Sequence, residues 1–124
     1  MTPNQKENLQ RLLAPRHIAF VGGNEALYAS RQCAAGGFNG QIWGVNPKRH
    51  QLDEHPCFAS VDDLPEAPDA AFVAVPAPVV PTVVDQLRKR GAGGVVCYSA
   101  GFGELGADGE ALEQKLIEVS GDLA

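Results

Sequence analysis

A chain of 124 residues, 44% of them apolar, is long enough for one domain that buries roughly two thirds of its unfolded surface. Its formal charge of −5 excludes broad, sequence-independent binding to nucleic acid, which needs a basic surface, but allows a local basic pocket for a phosphorylated small molecule. No apolar run approaches the ~20 residues of a membrane helix and no charged-then-apolar leader is visible, so neither membrane nor nucleic acid is an expected partner.

The three cysteines, Cys33, Cys57 and Cys97, form no CxxC or Cys/His ligand pattern. Such a scattered, odd set fits a reducing, cytoplasmic compartment. The 14 glycines and 9 prolines fall singly or in pairs at predicted element ends, as turn residues do.

Thr2 to Ala14 carries Leu9, Leu12 and Leu13 at helical spacing, with Asn8, Gln10 and Arg11 on the wet side. Residues 1–14 are therefore a short amphipathic helical segment that ends before Pro15, and residues 15–124 are the domain proper. Ile18 to Val21 is a continuous apolar run, as expected of a parallel strand covered on both faces. It runs into Gly22-Gly23, where the backbone can turn sharply, and then into a helix from about Glu25 to Ala35. That helix N-terminus offers free N–H groups and partial positive charge to an anion, typically a phosphate. The alternative is a plain tight turn. Ala26, Leu27, Ala29, Ser30, Cys33 and Ala34 form the small-residue face of the helix, and Gly36-Gly37 stops it.

Gln41 to Val45 is the second strand, ending at Asn46-Pro47. Residues 48–69 are irregular: Cys57-Phe58 pairs briefly at an edge, and Ser60 caps a single turn before Pro65. The helix normally found between the second and third strands is shortened or absent. Ala70 to Val75 is the third strand, closed by Pro76-Ala77-Pro78. Val79 to Arg90 is a helix with Val80, Val83, Val84 and Leu87 inward. Val95 to Tyr98 is the fourth strand, Ser99 to Gly103 a second glycine turn, and Ala107 to Val119 a last helix.

This alternation predicts an α/β, Rossmann-like, open and mostly parallel sheet with helices on both faces. The expected strand order is 3-2-1-4, with the final strand of such a fold lacking, so that the chain is a truncated domain. A ligand then lies over the strand C-terminal edge, against Gly22, Gly23 and Asn24, Asn46, Pro47 and Lys48, Val75, Pro76 and Ala77, and Ser99, Ala100 and Gly101. An NAD site needs an acid at the end of the second strand to grip the ribose diol. Lys48-Arg49 stands there instead, which favours a phosphorylated ribose, as in NADP or coenzyme A, unless the pair is merely solvated.

His17, His50 and His55 have no acid or nucleophile at motif spacing, and no catalytic residue or metal site is assigned. Cys33 and Cys97 read as core residues, Cys57 as the most exposed thiol, Trp43 as core, and Asp62-Asp63 as a helix start and not a metal site.

Taken in order, Val21-Gly22-Gly23, Val45-Asn46-Pro47-Lys48, Asp62-Leu64-Pro65, Val75-Pro76-Ala77 and Ser99-Ala100-Gly101-Phe102-Gly103-Glu104 resemble a known family. It is the coenzyme A-binding domain of NDP-forming (ADP-forming) acyl-CoA synthetases, related to the N-terminal domain of the succinyl-CoA synthetase α subunit. The resemblance covers about Pro15 to Val119. It implies an acid–thiol ligase in which Gly22 and Gly23 lie near the phosphates of CoA and Asn46, Pro47 and Lys48 near the phosphoadenosine. Val75, Pro76 and Ala77 would flank the adenine or pantetheine, and Ser99, Ala100 and Gly101 the thiol end. It also implies further ligase parts as partners, a phosphorylated histidine and an ATP-grasp domain, in the same chain or another subunit. Gly-Gly-Asn in place of the family's usual Gly-Ala-Ser, and Arg31-Gln32-Cys33 in the helix, are similar to a subgroup of aryl- or hydroxycinnamoyl-CoA synthetases. Two readings stand beside this one: an NADP-dependent oxidoreductase domain, and a stand-alone, non-enzymatic CoA- or nucleotide-binding module.

Overall fold

The computed structural model describes residues 2–98. Within them a six-stranded sheet is assembled from β1 (His17–Gly22), β2 (Gln41–Val45), β3 (Gln51–Leu52), β4 (His55–Phe58), β5 (Ala70–Ala74) and β6 (Gly94–Cys97). The helices are α1 (Pro3–Leu13), α2 (Asn24–Ala35) and α3 (Val80–Arg90). The expected last helix, Ala107 to Val119, lies outside the described residues, as does the turn from Ser99 to Gly103.

The sheet order is β3-β4-β2-β1-β5-β6. All neighbours pair in parallel except β3 with β4. The fold is Rossmann-like, as the alternation predicts, but one neighbour differs. Ala70–Ala74, read as the third strand beside the second, lies on the other side of β1, with Val21 opposite Val73. The position beside β2 belongs to β4, a short strand containing Pro56, which pairs only through Cys57 and Phe58. A four-residue strand with a proline leaves no hydrophobic alternation to read, so its place in the order is invisible in the pattern. The switch point consequently lies between β1 and β5.

Each face of the sheet has its own core. Ala19, Val21, Trp43, Val73, Val83 and Leu87 pack on the α3 side. Phe20, Ala26, Ile42 and Leu52 are buried on the α2 side, with Leu27, Ala29, Cys33 and Phe72 packed against them. Ala34 is exposed, at the rim of the expected α2 face. The helix ends follow their sequence: Gly37 and Gly91 both take the left-handed conformation, at φ +95°. The loop from 46 to 69 holds no full helix, only a 3-10 turn at Val61–Asp63. Ser60 makes no side-chain cap to that turn; its hydroxyl donates to the Asp63 carboxylate at 3.2 Å.

The amphipathic segment α1 does not present Arg11 to water. Arg11 Nε donates to Asp69 Oδ1 at 2.7 Å, and its Nη1 donates to the carbonyl of Gly91 at 3.0 Å. A guanidinium so satisfied favours the protein over solvent, which helical periodicity cannot foresee. Gly93 and Gly94 admit α1: a Cβ on Gly94 would stand 2.8 Å from Leu12 Cδ2, and one on Gly93 2.8 Å from Arg11 Cβ.

His17 opens β1 and is buried, stacked on Trp43 at 4.8 Å between ring centroids. Its Nδ1 accepts the N–H of Asp69 at 2.9 Å, which assigns the imidazole proton of the neutral ring to Nε2. All of this sits at the amino-terminal edge of the sheet, opposite the candidate site.

Candidate functional site

Parallel strands put β1, β2, β4, β5 and β6 C-ends on one edge, and the loops there form a cleft of about 450 Å³. Gly22, Gly23, Asn46, Pro47, Lys48, Val75 and Pro76 line it, as expected. Two predicted residues do not. Ala77 is buried at the start of the turn leading into α3. Asn24 lines a separate cleft beside α2. Ser99, Ala100 and Gly101 fall outside the described residues.

Gly22 is dictated by packing. Its φ is +136°, and a Cβ would lie 2.2 Å from the carbonyl oxygen of Ala74 on β5. Gly23 is different: a Cβ there would meet nothing within 4 Å. It precedes α2 with no side-chain cap, so nothing from that residue competes for the first-turn N–H groups.

Asn46 joins the turn to the second strand. Its Nδ2 donates to the Gly22 carbonyl at 2.9 Å, and its Oδ1 accepts the N–H of Lys48 at 2.8 Å. One amide side chain thereby fixes the glycine turn and the start of the basic loop together. Arg49 Nη2 donates to Asn24 Oδ1 at 2.7 Å, so this cation reaches across to the N-terminus of α2. Lys48 is exposed at the rim.

Sequence reasoning passed over Ser60 and Gln86, which also line the cleft. Ser60 follows β4, whose place on this edge was hidden. Gln86 comes from α3, one residue before the buried Leu87, where a helical pattern shows only a polar position.

The thiols are not arranged for chemistry. Burial raises the pKa of Cys33 and Cys57, so neither is held as a thiolate. Cys97, read as buried, is exposed on the last described strand, and Cys57, read as the most exposed, is half-buried against Gly44. The edge position of β6 among the described strands explains the reversal. Among the described residues no group of His, Cys, Asp or Glu is placed to hold a metal ion, and no helix is long and apolar enough to cross a membrane.

Residues 16–121 match the family described as CoA binding domain. The chain belongs to that family. An ADP-forming acetate–CoA ligase of Archaeoglobus fulgidus is 35% identical over 120 residues, covering 90% of this chain and 17% of the ligase. A trans-feruloyl-CoA synthase from an unknown prokaryotic organism is 37% identical over 121 residues, covering 94% and 17%. Among solved structures, the dinucleotide forming acetyl-coenzyme A synthetase 1 of Ca. Korarchaeum cryptofilum, in complex with phosphate and ADP, superposes with a TM-score of 0.82. It is 32% identical, over 90% of this chain and 25% of that one. The CoA-binding domain thus spans about one sixth of the length of the curated relatives it matches.

Coenzyme A is the cofactor of this domain, and the likenesses do not favour the NADP-dependent or stand-alone readings. The cleft fits the ligand chemically. It offers uncapped N–H groups at a helix start, open space above Gly23, and Lys48 and Arg49 at the mouth, while Val21, Val45 and Val75 supply apolar lining.

Proposed function

We propose that this chain is the CoA-holding domain of an ADP-forming acyl-CoA synthetase, an acid–thiol ligase that acts in the cytoplasm. Bound CoA supplies the thiol that accepts the acyl group. The domain's own residues hold and orient it. Gly22, Gly23 and Asn24 receive its phosphates at the start of α2, and Asn46, Pro47 and Lys48 take the phosphoadenosine. Val75 and Pro76 flank its adenine or pantetheine, and Ala77 shapes the turn beneath them. Ser99, Ala100 and Gly101 approach the thiol end. In this reading residues 15–124 are the CoA-binding unit and α1 is a segment latched onto it.

The observation that carries the reading is the Asn46 amide bonded to both Gly22 and Lys48, which ties an anion-accepting turn to a cationic loop. The phosphohistidine and ATP-grasp parts of the reaction belong to further domains, in the same polypeptide or a partner subunit. An aromatic acid is one acyl candidate, a reading supported by the 37% identical relative named as a trans-feruloyl-CoA synthase.

A thermal-shift series with CoA, dephospho-CoA, NADP and NAD tests the reading. Ligand at a hundredfold its Kd stabilises by about 2.7 kcal/mol, a rise on the order of 10 °C for a domain of this size. CoA is expected to give the largest rise and dephospho-CoA a smaller one. A rise with NADP alone overturns the assignment.

A further inference from the structure

A second cleft, of about 360 Å³, opens on the other side of the Gly22-Gly23 turn from the first. Asn24, Glu25, Tyr28, Ala29, Phe72 and Tyr98 line it. Tyr28 comes from α2, Phe72 from β5, and Tyr98 follows β6. Phe72 stacks on Tyr98 with centroids 6.1 Å apart and planes 20° from parallel, and Phe20 continues the row at 6.0 Å from Phe72. Yet Tyr28 and Tyr98 remain 65% and 62% exposed. Two large aromatic rings left open beside a half-buried third present flat faces of the kind that aromatic rings stack upon.

We infer that this cleft is a subsite for an aromatic acyl group carried on the CoA thiol, such as a hydroxycinnamoyl group. The inference rests on the CoA reading of the larger cleft. The lining has the chemistry of a planar, uncharged ring: aromatic faces, the methyl group of Ala29, no cation and one carboxylate, Glu25. That carboxylate disfavours a phosphate and accepts a hydrogen bond from a ring hydroxyl. The volume lies at the small end of ligand sites, suited to one ring on a short arm and cramped for a nucleotide. Position agrees with chemistry. Asn24 lies on its border and binds Arg49 from the basic loop, so a ligand passing over the glycine turn meets both clefts. Tyr98 directly precedes Ser99, Ala100 and Gly101, the proposed neighbours of the thiol.

Adenine is the other aromatic ring CoA could place here, and calorimetry separates the two. CoA, acetyl-CoA and 4-hydroxycinnamoyl-CoA are titrated into the chain and its Tyr28→Ala, Tyr98→Ala and Tyr98→Phe variants. The aromatic thioester is expected to bind about tenfold more tightly than the other two, the alanine variants to lose that advantage with CoA affinity kept within about twofold, and Tyr98→Phe to keep most of it. Equal binding of all three ligands overturns the inference. So does an equal loss for CoA and the thioester in the alanine variants, which would put adenine in the cleft. Should CoA itself not bind, the reading of the larger cleft falls, and free 4-hydroxycinnamate still decides this one. At millimolar concentration it should shift the Tyr28 and Tyr98 ring resonances, and unmoved rings overturn the subsite. Both side chains are exposed, so their replacement leaves the core intact.

Discussion

Asn46 Nδ2 donates to the carbonyl of Gly22 at 2.9 Å, a bond from the residue that follows β2 to the last residue of β1 that sets the shape of the glycine turn. Asn46→Asp replaces the donor with a carboxylate facing a carbonyl oxygen, and adds negative charge where phosphates would sit. CoA affinity should fall at least tenfold, about 1.4 kcal/mol, by calorimetry, and stability by about 1 kcal/mol. Asn46→Ala should give the same stability loss but a smaller loss of binding, since it removes the hydrogen bonds without adding charge. Equal affinities for the two variants would show that charge at this position does not matter to the ligand.

Adjacent glycines in this turn should respond in different ways. Gly22→Ala places a methyl group 2.2 Å from the Ala74 carbonyl on a backbone of φ +136°. Strain and overpacking together should cost at least about 2 kcal/mol, and soluble yield should drop. Gly23→Ala meets open space, so its cost comes only from the backbone, whose φ −99°, ψ −124° lies outside the regions alanine favours; it should lose about 1 kcal/mol, less than Gly22→Ala. Its methyl group borders the cleft without clashing with the protein, and CoA affinity should fall more than stability does. Denaturant melts and calorimetry on the two variants check the contrast.

Much of this arrangement is legible in the sequence because its signals are local. Four apolar runs bounded by glycine or proline give β1, β2, β5 and β6 to within a residue or so. Val80, Val83, Val84 and Leu87 announce the buried stripe of α3, and all four are buried. What stays hidden depends on long-range pairing. The proline-bearing β4 takes the place beside β2 through only two paired residues, and that displaces Ala70–Ala74 to the far side of β1. Arg11 is polar at a polar helical position, and only the fold reveals that Asp69 waits 58 positions away. The same holds for the site. Turn residues at strand ends could be named from the chain, but Ala77 turned inward, Ser60 entered the cleft behind the hidden β4, and Gln86 entered from a polar position of α3 that the helical pattern does not aim at the site.

The Asp69 carboxylate is 1% exposed and carries bonds from two arginines. Arg16 gives it Nε and backbone N–H, each at 2.9 Å, and Arg11 gives Nε at 2.7 Å. Hydrogen bonds from Arg16 and then Arg11 hold its pKa far below the usual carboxylate range, against the opposing effect of burial. A carboxylate depressed in the folded state stabilises at every pH above its unfolded value of about 3.9 and loses that contribution as pH falls below it. The melting temperature should therefore be flat in this respect near neutrality and fall steeply below about pH 4. Asp69→Asn should cost about 3 kcal/mol at pH 7, roughly 10 °C, and flatten the acid limb. Asp53 and Asp85 are also lowered by arginine or lysine partners, but they are surface pairs, and their neutralisation should shift the curve far less.

Lys48 and Arg49 separate two roles for positive charge at the cleft mouth. Lys48 is exposed with its N–H held by Asn46, whereas Arg49 is already engaged by Asn24 at 2.7 Å. If the 3′-phosphate of CoA is read by Lys48, Lys48→Ala should weaken CoA about tenfold and leave dephospho-CoA nearly unchanged, because only the former carries that phosphate. The difference should shrink as salt is raised, as expected for an exposed pair. Arg49→Ala should act on both ligands alike, since its loss frees Asn24 at the helix start and loosens the turn that both must cross. Parallel titrations with the two ligands at low and high salt measure all four quantities. A Lys48→Ala variant that loses CoA and dephospho-CoA equally would move the 3′-phosphate away from Lys48 and assign this lysine to the diphosphate shared by both.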